Sequence, residues 1–202
     1  MKHYFNPFSR GAITHWMLKE LNVAHESVHI DFAAGENDSP DFRALNPMGK
    51  IPVLVDEGIV VTEVAAICAY LADKFPHKKL APPPDSLDRG AYYRYLFMAG
   101  NTLEPAMTLN ASGMTHPEPK TAGWGDMERV QLTIEQMTPD SDWALGARFT
   151  AADVVFGGLL DSALRFKLIS DSGRVSRYVE RIRIRPAYLA AHDVSLKTPD
   201  AL

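Results

Sequence analysis

Pro52 stands directly before Val53-Leu54-Val55, an apolar β-branched run, and that placement restricts what the chain can fold into. A proline has no amide proton to give to a sheet ladder, so Pro52 belongs at the first position of a strand or on an edge. A cis Ile51-Pro52 bond fits such a corner. It would turn the N–H and C=O of Ile51 outward, where a second extended chain can pair with them as a strand pairs with a sheet edge. One short hairpin later, Val61-Thr62-Glu63-Val64-Ala65-Ala66-Ile67 passes from strand into helix. There the free N–H groups and the positive end of the helix dipole attract a carboxylate, while Glu63 offers an anion to an ammonium group. A ligand with an α-amino acid head and an extended amide body fits both ends.

The surrounding pattern changes partway along the chain. Residues 2–5 read as a short apolar strand, and residues 10–21 carry Ile13, Trp16, Met17 and Leu21 at helical spacing. Residues 27–31 alternate as a second strand, 40–45 form a helical turn, and 52–55 pair with 59–61 around Asp56-Glu57-Gly58. Residues 63–74 close the series as a helix with the stripe Val64, Ile67, Cys68 and Leu71. The order β-α-β-α-β-β-α makes residues 1–76 an α/β domain. Residues 77–85, with Pro82-Pro83-Pro84, read as a stiff linker, and residues 86–202 as an all-helical domain.

In that second part, residues 87–111 predict one long helix with apolar side chains around most of its circumference and a kink caused by Gly100 and Pro105. Residues 114–125 predict a loop and 126–137 a helix. Phe149-Thr150-Ala151-Ala152-Asp153 has the form of a capping box with Asp in place of Glu or Gln. Thr150 is expected to accept the Asp153 N–H, while the Asp153 carboxylate reaches back to Thr150. The run 154–164 then predicts a buried central helix, and 175–183 and 186–192 predict two short final helices.

Composition excludes several function classes. A formal net charge of −4 gives no basic face for nucleic acid. No apolar run is long enough to cross a membrane and no signal region precedes the first strand, so a cytoplasmic protein is expected. One cysteine, Cys68, leaves no intramolecular disulfide and no CxxC pair; on the apolar stripe it reads as a buried, inert thiol. No metal is expected at the seven histidines. Arg177, Arg181, Arg183 and Arg185 read as a solvated helix face.

The motifs NPxGKIPVL and TExxAI, the proline-rich linker, the helical second half, the Trp143-Ala144-Leu145-Gly146 turn and the FTAAD box together resemble the cytosolic glutathione transferases. Tyr4-Phe5-Asn6-Pro7-Phe8-Ser9-Arg10-Gly11 is most similar to a group common in proteobacteria. The resemblance covers nearly the whole chain. It implies a thioredoxin-like domain followed by a helical-bundle domain, glutathione as co-substrate without a metal, and a homodimer. It also implies that the Ile51 backbone beside Pro52 pairs with the cysteinyl unit and that Glu63 meets the γ-glutamyl head. The position usually held by Ser is Val64 here, which removes one side-chain hydrogen bond to the ligand carboxylate.

Phe8, Arg10 and Lys50 complete the expected glutathione site, the last two as charge partners. Ser9 is the expected donor to the thiol, in competition with a capping role, and Asn6 or Arg10 are its alternatives; Tyr4 reads as a core residue. Tyr92, Tyr95, Met98, Asn101 and Thr102 are candidates for the hydrophobic-substrate site. The implied reaction is conjugation of the glutathione thiolate to small hydrophobic electrophiles. A non-catalytic ligand-binding protein and a glutathione-dependent peroxidase or disulfide reductase are the alternatives.

Overall fold

The structure, a computed structural model, describes residues 1–192. Strand β1 (Lys2–Phe5) leads into α1 (Gly11–Leu21), β2 (Glu26–His29), α2 (Pro40–Leu45), β3 (Val53–Asp56), β4 (Ile59–Thr62) and α3 (Val64–Lys74). The sheet order is β2-β1-β3-β4, with β1 and β2 parallel and the other neighbours antiparallel. This is a thioredoxin-like arrangement, as the sequence implies. Each strand lies within two residues of its expected position, and Pro52 stands just ahead of β3. Strand β2 begins one residue earlier than expected and ends at His29, so Ile30 and Asp31 fall outside it, although the Ile30 N–H still bonds the Phe5 carbonyl at 2.9 Å.

The remaining helices are α4 (Asp88–Met98), α5 (Glu104–Ala111), α6 (Met127–Met137), α7 (Gly158–Arg165), α8 (Gly173–Arg183) and α9 (Pro186–His192). The expected single helix over 87–111 is instead two α-helices joined by a π-helical turn, Ala99–Leu103. Its cause is local. Pro105 has no N–H to return to the preceding turn, and the Glu104 N–H bonds the carbonyl of Ala99, five residues back.

Packing divides the chain into two compact units, Met1–Ile67 with the segment that begins at Arg183, and Cys68–Ile182. The proline-rich segment 77–85 thus lies inside the second unit, so packing and composition divide the chain at different places. In the first unit, Trp16, Met17, Leu18 and Leu21 of α1 are fully buried. Helix α9 lies on α1, with Tyr188 edge-on to Trp16 at 5.2 Å and Arg185 in a two-pronged ion pair with Glu20 at 2.7 and 2.8 Å. A second cluster, Ile30, Phe42 and Val53, packs with Tyr4, Leu45, Ile51 and Val55.

In the second unit the capping box forms at the start of a buried run. The Asp153 carboxylate accepts the Thr150 N–H at 2.8 Å, as expected. The Thr150 hydroxyl takes the Ala152 N–H rather than that of Asp153, because the Asp153 N–H is held by the Thr150 carbonyl. The helix then opens as a π-helical turn, Asp153–Gly157, before α7. The basic run is corrected in part: Arg181 bonds the carbonyls of Ser141 and Asp142, and Arg185 is committed to a mostly buried Glu20, so Arg185 is not a solvated cation.

Candidate functional site

Sheet register gathers the chemistry at one end of the first unit. Tyr4 opposite Val53 in an antiparallel pair puts residues 6–10, which leave β1, beside Ile51 and Pro52, which enter β3. Val53 opposite Thr62 brings Glu63 and the start of α3 to that same end. Helices α1 and α3 both begin there, so two positive dipole ends converge.

The corner itself is built by the loop before it. The Ile51-Pro52 bond is cis, Pro52 is buried and Ile51 half-buried. Asn46, 8% exposed, accepts the Met48 N–H with its side-chain oxygen and donates to the Lys50 carbonyl at 2.7 Å. Gly49 takes φ +62, and a Cβ there would stand 2.9 Å from the Asn37 carbonyl oxygen. Replacing Asn46 by alanine is expected to cost about 1–3 kcal/mol, because the Lys50 carbonyl loses its partner at the corner before β3. Urea unfolding would read the loss.

Glu63 holds φ +68, a left-handed conformation that costs a non-glycine residue about 1–2 kcal/mol. Its carbonyl accepts the first α3 bond, from the Ile67 N–H at 2.9 Å, and its side chain is exposed. Val64 is half-buried at the first α3 position and Lys50 is exposed. Phe8 is also exposed at 50%.

Around α1, Ser9 performs the capping role. Its hydroxyl donates to the Asn6 carbonyl at 2.7 Å and its oxygen accepts the Gly11 N–H at 2.9 Å. To donate to a thiolate it must rotate away from Asn6. The Asn6 amide donates to the Ile30 carbonyl at 2.9 Å and accepts the Phe8 N–H at 2.9 Å. Arg10 occupies the residue before α1 with helical backbone angles, and its side chain makes no capping bond. Tyr4 lies edge-on to Phe42 at 5.9 Å, in the core.

The second-substrate candidates separate. Tyr92 is fully buried under the Arg89 guanidinium, and Tyr95 donates its hydroxyl to the Met137 carbonyl at 2.8 Å. Both serve the interior of the second unit. Met98 and Thr102 are partly exposed and Asn101 is exposed, with Asn101 and Thr102 on the π-helical turn. Cys68 is buried, and burial pushes its thiol far above the ordinary range.

Two features went unread in the sequence. His25-Glu26-Ser27-Val28-His29 carries the letters of a zinc-binding HExxH helix. In this protein Glu26–His29 is a strand, where a four-residue spacing spans about 13 Å instead of one helical turn. Among the described residues no group of three His, Cys, Asp or Glu is disposed to hold a metal. His3 and His15 are the second feature, buried at 0% and 6% exposure. Only the alternation of β1 and the apolar neighbours Phe5 and Trp16 hinted at it.

The family model for the glutathione S-transferase N-terminal domain matches residues 1–73. "Glutathione S-transferase GstA" of Escherichia coli O157:H7 is 28% identical over 189 residues, 92% of this chain and 94% of that protein. Maleylacetoacetate isomerase of Pseudomonas aeruginosa is 30% identical over 183 residues, 87% of this chain and 86% of that one. A sphingomonad glutathione S-transferase, solved in complex with glutathione, superposes with a TM-score of 0.77 at 28% identity, covering 96% of this chain and 98% of its own.

Proposed function

Since this chain belongs to the cytosolic glutathione transferase family, we propose that it binds glutathione at the shared end of β1, β3 and β4 and conjugates its thiolate to small hydrophobic electrophiles. The observation that carries this reading is the convergence there of the cis Ile51-Pro52 corner, the strained Glu63 and two helix N-termini. The Ile51 backbone would pair with the cysteinyl amide, Glu63 with the γ-glutamyl ammonium, and the α3 N-terminus with its carboxylate. Pro52, Phe8, Arg10 and Lys50 would complete the wall.

A thiol of pKa about 8.5 is only a few per cent ionised at neutral pH, and lowering it by two units takes about 2.7 kcal/mol of preference for the anion. The N-terminus of α1, with Ser9 when its hydroxyl turns from Asn6, supplies that preference. The thiol proton leaves to solvent. The sulfur pair then forms a C–S bond at the electrophilic carbon, and the leaving group departs with its electrons. Met98, Asn101 and Thr102 are proposed for the electrophile.

Calorimetry with glutathione and S-methylglutathione tests the reading: saturable binding of both is expected, and binding of neither overturns it. Val64→Ser restores a hydroxyl donor at the carboxylate and is expected to tighten binding about 2- to 10-fold, from roughly 0.5–1.5 kcal/mol. Ser9 favours a second reading, a binding protein without turnover, because its hydroxyl proton is already spent on Asn6. Conjugation that is absent despite tight binding would establish it. A peroxidase or disulfide reductase has less support, since no cysteine stands at the start of α1.

We propose further that the protein is a cytoplasmic homodimer. The exposed Tyr93 and Phe97 on one α4 face support self-association, and sedimentation at micromolar concentration would test it. Among the described residues no helix is long and apolar enough to cross a membrane.

A further inference from the structure

His3 lies in the interior of the first unit, yet hydrogen bonds connect it to the start of α1. Its Nε2 stands 2.8 Å from the Thr14 hydroxyl oxygen, and Thr14 stands 3.0 Å from the Gly11 carbonyl. A carbonyl can only accept, so the Thr14 proton goes to Gly11 and the Thr14 oxygen accepts from His3. Both bonds are made together only in the tautomer protonated on Nε2. The proton is on Nε2, and Nδ1 is a buried lone pair without a partner. Phe5 stacks on the ring at 5.1 Å and holds its plane.

The chain of donors continues into the backbone. Gly11 is the first residue of α1, and the peptide that carries its carbonyl also carries the Ala12 N–H, which donates to the Ser9 carbonyl at 3.0 Å. The peptide after Ser9 carries the Arg10 N–H at the helix start. Each bond accepted at a peptide oxygen strengthens that peptide's own N–H as a donor. The Gly11 N–H is tied in as well, to the Ser9 oxygen at 2.9 Å.

We propose that His3 and Thr14 are positioning residues for thiol activation, a buried relay that fixes and polarises the first turn of α1 without touching the ligand. The inference rests on the reading of that turn as the place where the glutathione sulfur is held. Neither residue is a catalytic residue. Their effect reaches the sulfur through the geometry and dipole of the first α1 turn, and its signature is the thiol pKa.

The test is the ultraviolet thiolate signal of bound glutathione, titrated from pH 4 to 9 in Thr14→Val, Thr14→Ser, His3→Leu and His3→Gln. Val and Leu break the relay, whereas Ser keeps the hydroxyl and Gln keeps a donor near the position of Nε2. Thr14→Val and His3→Leu are expected to raise the thiol pKa by about half to one unit, with a 3- to 10-fold loss of kcat/KM at pH 6.5. Thr14→Ser and His3→Gln are expected to stay close to the wild-type pKa. A purely structural role would lower thermal stability in Val and Leu and leave the pKa unchanged, which overturns the relay alone. Wild-type protein that binds no glutathione overturns both the relay and the site on which it rests.

Discussion

Asp153→Ala is expected to destabilise the protein by about 3–5 kcal/mol, a loss large enough to leave much of it unfolded at 37 °C. The Asp153 side chain is fully buried and accepts four bonds: the Thr150 N–H at 2.8 Å, the Thr150 hydroxyl at 3.3 Å, the Ala144 N–H at 2.6 Å and the Tyr178 hydroxyl at 2.8 Å. Truncation leaves the buried Thr150 amide and Tyr178 hydroxyl without acceptors, at about 1–3 kcal/mol each. Asp153→Asn is expected to lose less, because its single oxygen satisfies one side while its NH2 faces donors on the other. Urea unfolding reads both variants, and a loss below 1 kcal/mol for the alanine would refute the account. Burial also raises the Asp153 carboxyl to about 6, against opposing hydrogen bonds from Ala144, Thr150 and Tyr178. A raised acid contributes stability that is present at low pH and lost as pH climbs through 6, roughly 2.5 kcal/mol between pH 4 and 7.

The first unit is expected to respond to acid in the opposite sense. Burial lowers His3 to about 3, with the charges of His15 and His25 adding to it. It lowers His15 to about 4, with Lys19, His25 and His192 adding to it. Each ring is neutral in the folded protein, whereas the unfolded ring binds a proton below about 6.5. Stability from these groups is therefore intact above pH 6.5 and lost as pH falls, by about 2 kcal/mol for each histidine at pH 5. Over that same step from pH 7 to 5, Asp153 returns only about 1 kcal/mol to the second unit. Hydrogen exchange at pH 5 and 7.5, corrected for intrinsic rates, is expected to show β1, α1 and α9 losing protection while α7 and α8 keep theirs. His15→Phe, which keeps a ring against Phe5 at 4.4 Å, is expected to remove about half of the acid sensitivity. Equal loss of protection in both units would refute the assignment.

How much of this was legible in the sequence depends on the range of the interaction. Pro40, Pro52 and Pro186 act through their own backbone, and the elements they open stand where the sequence puts them. Thr150 and Asp153 are three residues apart, and the reach of the carboxylate was readable for the same reason. The Glu20–Arg185 pair joins residues 165 positions apart, so Arg185 looked like a surface cation until the chain was folded. Gly100 and Pro105 announced a break in the long helix, but its π-helical form depends on where the Glu104 N–H finds its carbonyl. At the site, the cis-proline corner and Glu63 were visible as motifs. The spending of the Ser9 proton was not, because it hangs on the path of the turn from Asn6 to Gly11.

The strand register also gives the four-stranded sheet a front and a back. Its front gathers residues 6–10, 51–52 and 63–64, and its back carries the β3–β4 turn, where Glu57 and Gly58 are exposed with φ of 50° and 86°. The strand between them is four residues long, so the turn stands about 13 Å behind the ligand corner. An environment-sensitive dye or a surface tether attached at Glu57 would therefore report on, or immobilise, the first unit without standing at the proposed ligand corner. That separation makes the hairpin tip a natural wiring point for a sensor built on the proposed glutathione site.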